Sequence, residues 1–373
     1  MVETRSGRSV SPPPGEEEAE GSGALPPLAR ALQSAGKTQR PQLGSPQLLV
    51  GGPRGRRRAG GGGGASELSD SQLYTLLALS LGGMALICVM VPKTAARFAF
   101  GSAAEPPEDQ HAHTLALLGW GMAAAAAAAF ALEECARKHM QHTFTADTLK
   151  LGLAGFAAAD IALQFYYPRT MTGLAAIVFM LSRGLALALP ATQLFISPQD
   201  RNRLWRDFRR LPRTLPAALS LRKPTLSGLL YLLLTAAFPA AGAAYFATPK
   251  TTLFHTFGYA YGKSTYMTWK GVGGALMTIL PAMTYTLKDK AENDLLGRSV
   301  ARTLNIGLML ASVGHLLVFG PILNQGHGGW LLPILTATWG TALLASMAGL
   351  AAPEATALLE QAEAEAAVTA TTE

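Results

Sequence analysis

From Leu73 onward the chain alternates long apolar runs with short polar joints, and the runs are of membrane length. A bilayer core of about 30 Å takes roughly 20 largely apolar residues per helix. Leu73 to Val91 and Thr114 to Leu132 qualify without a single charge. Leu151 to Tyr167 carries Asp160, and Thr170 to Ile196 carries Arg183. Four more follow: Thr225 to Thr248, Gly271 to Leu287, Leu304 to Leu323 and Trp330 to Ala352. The pattern predicts an all-α polytopic membrane protein with eight transmembrane helices. The Ala123 to Ala129 run makes the second span the least hydrophobic, although its small residues let neighbouring helices approach closely.

The eight runs form two sets of four. Pro92-Lys93-Thr94, followed by Phe100-Gly101, returns 157 residues later as Pro249-Lys250-Thr251, followed by Phe257-Gly258. Tyr74 and Tyr231 keep the same offset. After a two-residue deletion the offset becomes 155, pairing Gly119 with Gly274, Met122 with Met277, Leu149 with Leu304 and Gly152 with Gly307. This reads as an internal duplication. Four spans per copy is an even number, so both copies enter from the same side as parallel repeats about an axis along the membrane normal.

Composition agrees with a membrane chain. Of 373 residues 49% are hydrophobic and 15% charged, against about a quarter charged in ordinary soluble domains. Between Arg302 and Glu354 there is no Asp, Glu, Lys or Arg. The net charge of +7 sits in loops flanking apolar spans, without the aromatic interleaving of a nucleic-acid-binding module, so no nucleic-acid partner is expected. Residues 198–224, between repeats 71–197 and 225–352, hold Arg201, Arg203, Arg206, Arg209, Arg210, Arg213, Arg222 and Lys223. By the positive-inside rule this linker and both termini face the cytosol, or the stroma or matrix of an organelle. Within it Leu204, Trp205, Phe208 and Leu211 recur at helical spacing, which predicts a short interfacial helix beside anionic lipid head groups.

Residues 1–70 contain a proline run, an acidic cluster, an arginine cluster at Arg54, Arg56, Arg57 and Arg58, and a glycine run. Such a segment cannot bury enough apolar surface to offset its ordering entropy and is expected to be disordered. Its basic, acid-poor part from Gly21 to Ser66 reads as a plastid or other organelle transit segment, with a cytosolic low-complexity tail as the alternative. Residues 353–373 form an acidic tail.

Ionisable side chains inside a membrane are costly and mark candidate sites. Asp160 and its repeat equivalent His315 are expected near mid-span, facing each other across the central axis, with Arg183 close by. They define a candidate solute or ion pathway, or an ion pair that only holds the bundle together. Lys270 is expected to snorkel. A weaker metal candidate is Cys135, His139 and His142, which share one helix face at spacings of four and three. The two Pro-Lys-Thr signatures read as helix stops with interfacial anchors. No phosphate loop, nucleophile elbow or His-Glu-x-x-His motif is present, so neither enzyme activity nor a cofactor is expected. The sequence is therefore read as a small-solute or ion carrier. The alternatives are a non-transporting scaffold or assembly factor, whose linker or termini bind a protein partner, and a tetrapyrrole- or metal-binding membrane protein.

Overall fold

The computed structural model describes residues 69–101, 108–138, 140–141, 143–168, 170–195, 220–258, 262–326 and 328–353. The expected disordered segment, most of the basic linker with its interfacial helix, and the acidic tail lie outside the described residues, which contain eleven α-helices and no strand. These are α1 (Asp70–Met90), α2 (Pro92–Phe100), α3 (Glu108–Arg137), α4 (Phe144–Tyr166), α5 (Gly173–Phe195), α6 (Leu226–Ala247), α7 (Pro249–Phe257), α8 (Lys263–Met277), α9 (Ile279–Glu292), α10 (Ser299–Asn324) and α11 (Leu331–Leu350). Seven of them, α1, α3, α4, α5, α6, α10 and α11, are long and apolar enough to cross a membrane. Large apolar side chains such as Leu79, Phe165, Leu181, Leu233 and Leu344 lie exposed on their outer faces, as lipid-facing helices require. The protein is an integral, multi-pass membrane protein.

The eighth expected span, Gly271 to Leu287, is not one helix. It is broken at Thr278, where φ −124° and ψ −74° leave the helical region between α8 and α9. Pro281 accounts for the break: it has no N–H for the Met277 carbonyl four residues back, and its ring crowds that carbonyl. The Thr278 hydroxyl instead donates to the Gly274 carbonyl at 2.7 Å. Neither piece reaches 20 residues, at 15 for α8 and 14 for α9.

The Pro-Lys-Thr signatures stand at junctions: α1 stops at Met90 and α6 at Ala247, and a short helix starts directly after each. Pro92 and Pro249 each stand at the first position of a nine-residue helix, where the missing N–H costs nothing. Each short helix stops at a glycine with positive φ, Gly101 at 62° and Gly258 at 82°, a conformation that penalises any side chain.

At the centre lies α3, whose membrane-length window is 78% buried. It packs on α1, α10, α2 and α8, while α6 and α4 pack on the broken pair α8 and α9. The close approaches are built by small residues. A Cβ added to Gly307 of α10 would strike Ala127 of α3, and one added to Gly152 of α4 would strike Ala282 of α9. A Cβ on Gly119 of α3 would meet Cys88, Val89 and the Ala85 carbonyl of α1; one on Gly273 of α8 would meet Tyr245, the Phe246 backbone and the Gly242 carbonyl of α6. These contacts match Gly119 to Gly273, not to Gly274 as the sequence offset suggests, yet they still match Ala127 to Ala282. Helices α3 and α8 touch at Thr114 and Thr268, whose hydroxyls lie 3.1 Å apart, and again where Gly121 meets Ala275. The two contacts advance in the same direction along both helices, so α3 and α8 run parallel.

Tyrosines tie α1 to α5, and α6 to α10 and α11. The Tyr74 hydroxyl donates to Gln193 Oε1 of α5 at 2.8 Å. That of Tyr231 lies 2.6 Å from Asn305 Oδ1 of α10 and 2.9 Å from the Ala345 carbonyl of α11. Charged groups collect beyond the helix ends: Lys223 pairs with Asp294, and the Arg222 N–H donates to Glu292. At that same face Lys138 bonds both Glu134 and Ser299, joining the end of α3 to the start of α10.

Candidate functional site

Asp160 sits on α4, on the face that meets α5 and α8. Its Oδ2 accepts from Arg183 Nε at 2.7 Å, and the two side chains are 7% and 0% exposed. Fully desolvated charges persist only as hydrogen-bonded pairs, so this contact fixes how α4 and α5 meet. The guanidinium is flanked by rings: its Cζ lies 4.7 Å from the centroid of Phe156 and 5.6 Å from that of Phe179. Its Nη1 and Nη2 have no hydrogen-bond partner among the described residues.

The other carboxylate oxygen of Asp160 looks toward α8, where Gly271 and Gly274 keep the backbone close. Beside it is a cavity of about 30 Å³, lined by Asp160, Gln164, Thr268, Phe179 and Met267 among others, with room for about two water molecules. Gln164 follows Asp160 by four residues and so shares its helix face. Its Oε1 is buried without a partner. Thr268 reaches the cavity from α8. Toward α2 the wall includes Phe100, which packs at 4.5 Å on His111, a buried histidine with neither ring nitrogen hydrogen-bonded. Gln164 and Thr268 are additions to the sequence-derived site. Gln164 was legible from its spacing to Asp160; Thr268 was not, because nothing in the sequence orients α8 against α4.

His315 does not meet Asp160. It lies on α10 with its ring flat against Trp339 of α11, centroids 3.7 Å apart and planes 18° apart, and its Nδ1 is 2.8 Å from the Ala311 carbonyl. Nε2 has no partner. Each residue faces the helices packed against its own: Asp160 meets α5 and α8, and His315 meets α11. The surroundings also differ in bulk. Trp120 of α3 lies against Gly314 beside His315, whereas Gly274 of α8 lies against Ala159 beside Asp160. Trp339 likewise corresponds, at the 155 offset, to Gly184, around whose Cβ position nothing lies within 4 Å. Two tryptophans pack around His315, where glycines stand at the matching positions near Asp160 and Arg183.

Of the weaker candidates, Cys135 is a free, buried thiol, while His139 and His142 lie outside the described residues. Among the described residues no group of three or more His, Cys, Asp or Glu side chains is placed to hold a metal ion. Lys270 does not point to bulk water alone; its Nζ lies over the rings of Tyr166, Tyr167 and Phe246 at 4.8, 5.5 and 5.5 Å, which stabilises the cation by the ring quadrupoles.

A second and larger cavity, about 620 Å³, runs along α3 between α1 and α10. It is apolar except at one end, where Glu133, Glu134, Arg137 and Thr303 line it. It shares no residue with the cavity at Asp160.

The chain matches no known protein-family model, no curated protein and no solved structure.

Proposed function

We propose that this membrane protein is a carrier for a small solute or ion, with its binding centre at Asp160, Arg183 and Gln164. The observation that supports this reading is a buried charged pair beside a cavity whose rim presents an unpaired amide oxygen. In this reading Asp160, Gln164 Oε1 and the Thr268 hydroxyl receive a small hydrogen-bond donor, the proton being the smallest. The centre lies where α4 and α5 meet α8, and the reading treats α8 and α9 as one broken crossing equivalent to α3. That gives eight crossings in two parallel, duplicated halves, with α4 and α10 exchanged between them. The matched contacts of Gly307 with Ala127 and Gly152 with Ala282, and the parallel course of α3 and α8, favour this arrangement. Broken helices and the junction between repeats are where carriers place their sites. His315 then belongs to a twin position closed by aromatic rings.

The test is uptake by proteoliposomes under an imposed pH gradient, screened with pooled metabolites and ions. Native protein takes up solute in a gradient-dependent way, and Asp160→Asn and Gln164→Leu abolish it while His315→Gln retains it. Unchanged uptake in folded Asp160→Asn protein rejects the site. The competing reading, a non-transporting scaffold, is favoured by how little space the cavity offers. Under it no solute is taken up by a folded, correctly oriented preparation.

A further inference from the structure

The large groove along α3 has a shape and a charge pattern that select an occupant. Its floor is the alanine run: Ala123, Ala126 and Ala127 line it and supply no side chain to fill it. Its walls are Leu86 and Met90 of α1 and Ile306 and Leu310 of α10. Along α3 the lining runs from Trp120 to Arg137, about 26 Å at 1.5 Å per residue, more than the roughly 15 Å of hydrocarbon in one leaflet. The corresponding place over α9 is bridged, because Phe144 reaches Tyr285 edge-on at 5.6 Å.

At the polar end the charges are arranged as a pair of opposite signs facing outward. Glu133 accepts from Ser71 of α1 and lies 3.8 Å from Arg137, whose side chain is 65% exposed. Glu134 is already engaged by Lys138 and Ser299. Arg137 therefore keeps donors for a phosphate, and Glu133 keeps acceptor capacity for an ammonium. This pair sits at the helix end, where the apolar groove opens at the membrane boundary.

We propose that this groove binds one glycerophospholipid with an ethanolamine head group. One acyl chain lies on the alanine floor, the phosphate is held by Arg137, and the primary ammonium donates to Glu133. A choline head group carries the same charges but has no N–H to donate, so Glu133 discriminates against it. A glycerol head group has no cation for Glu133 at all. The inference does not depend on the carrier reading.

The full chain, purified in mild detergent and stripped of lipid, is incubated with dioleoyl phosphatidylethanolamine, phosphatidylcholine and phosphatidylglycerol, singly and in equimolar competition. Native mass spectrometry reads the adducts. The expected result is one retained phosphatidylethanolamine per chain, preferred over phosphatidylcholine by about fivefold, the factor expected of one hydrogen bond worth about 1 kcal/mol. Glu133→Ala, which removes the acceptor from a side chain that is 21% exposed, levels that preference without unfolding the chain. Ala126→Leu fills the groove and removes the adduct. Retention of phosphatidylcholine or phosphatidylglycerol as strongly as phosphatidylethanolamine overturns the proposal. So does an undiminished adduct in monodisperse Ala126→Leu protein, or the absence of any adduct in native protein.

Discussion

Replacing Arg183 by methionine separates what the buried pair does for folding from what it does for function. The side chain is fully buried and its partner Asp160 is 7% exposed, so removing the guanidinium leaves a carboxylate with no counter-charge and almost no solvent. Breaking a buried pair in this way costs about 3–5 kcal/mol, whereas replacing both partners by apolar residues is neutral or stabilising by about 1–4 kcal/mol. At about 2–4 °C per kcal/mol for chains of a few hundred residues, Arg183→Met should melt about 6–20 °C below the native protein. The double variant Asp160→Leu with Arg183→Met should return to within a few degrees of it. Thermal unfolding in detergent, followed by tryptophan fluorescence, measures both, and uptake by the same preparations measures function. A stable but inactive double variant is the outcome expected of a carrier site. If Arg183→Met melts with the native protein, the two charges are not coupled, and the energetic reasoning about this pair is wrong.

Other perturbations probe the packing. Gly307→Leu forces a side chain into Ala127, and Gly152→Leu into Ala282; each should cost about 1–3 kcal/mol by overpacking, visible as a lowered melting temperature and loss of monodisperse protein. Tyr231→Phe loses bonds to Asn305 and Ala345 and should cost about 1–3 kcal/mol, more than Tyr74→Phe, which loses one bond to Gln193 and about 0.5–1.5 kcal/mol; the order of the two melting temperatures checks this. On the proposed repeat arrangement the break holds one residue more than the matching stretch of α3, so deleting Thr278 should leave a folded chain. Deleting Ala124, between the Gly121 and Ala127 contacts of α3, rotates one contact away by about 100° and should abolish folding, as size-exclusion profiles of the two deletions would reveal.

Long apolar runs gave away most of the helices, since nothing in water competes with burying 20 such residues in lipid. Helix α4 begins at Phe144, seven residues before the apolar run, because Thr143 caps it and the Lys150 ammonium turns back to the Gln141 carbonyl. A helix can extend past the hydrocarbon once its charges are satisfied. The break at Thr278 did leave a signal, Pro281, but Pro190, Pro239 and Pro321 lie inside α5, α6 and α10 without breaking them, so a proline alone does not tell a break from a continuous span. The Asp160 and Arg183 pair was legible as one of two options, because the lipid interior forces charges to find each other. That Asp160 would not meet His315 was not legible, since symmetry between sequences places residues at equal depth and leaves their facing direction to neighbouring side chains.

The packing of α4 on helices made much later has a consequence for synthesis. One face of α4 closes on α8 and α9, and at roughly 5–20 residues per second the ribosome needs about 6–25 s to pass from Tyr166 to Glu292. For that interval Gly152 and its neighbours face lipid or an insertion chaperone. Arg183, by contrast, emerges almost at once and can neutralise Asp160 before either helix is released. The buried charges Asp160 and Arg183 of the α4–α5 hairpin thus cancel as it enters the bilayer, and a nascent chain stopped after α5 would hold a finished ion pair in an unfinished protein.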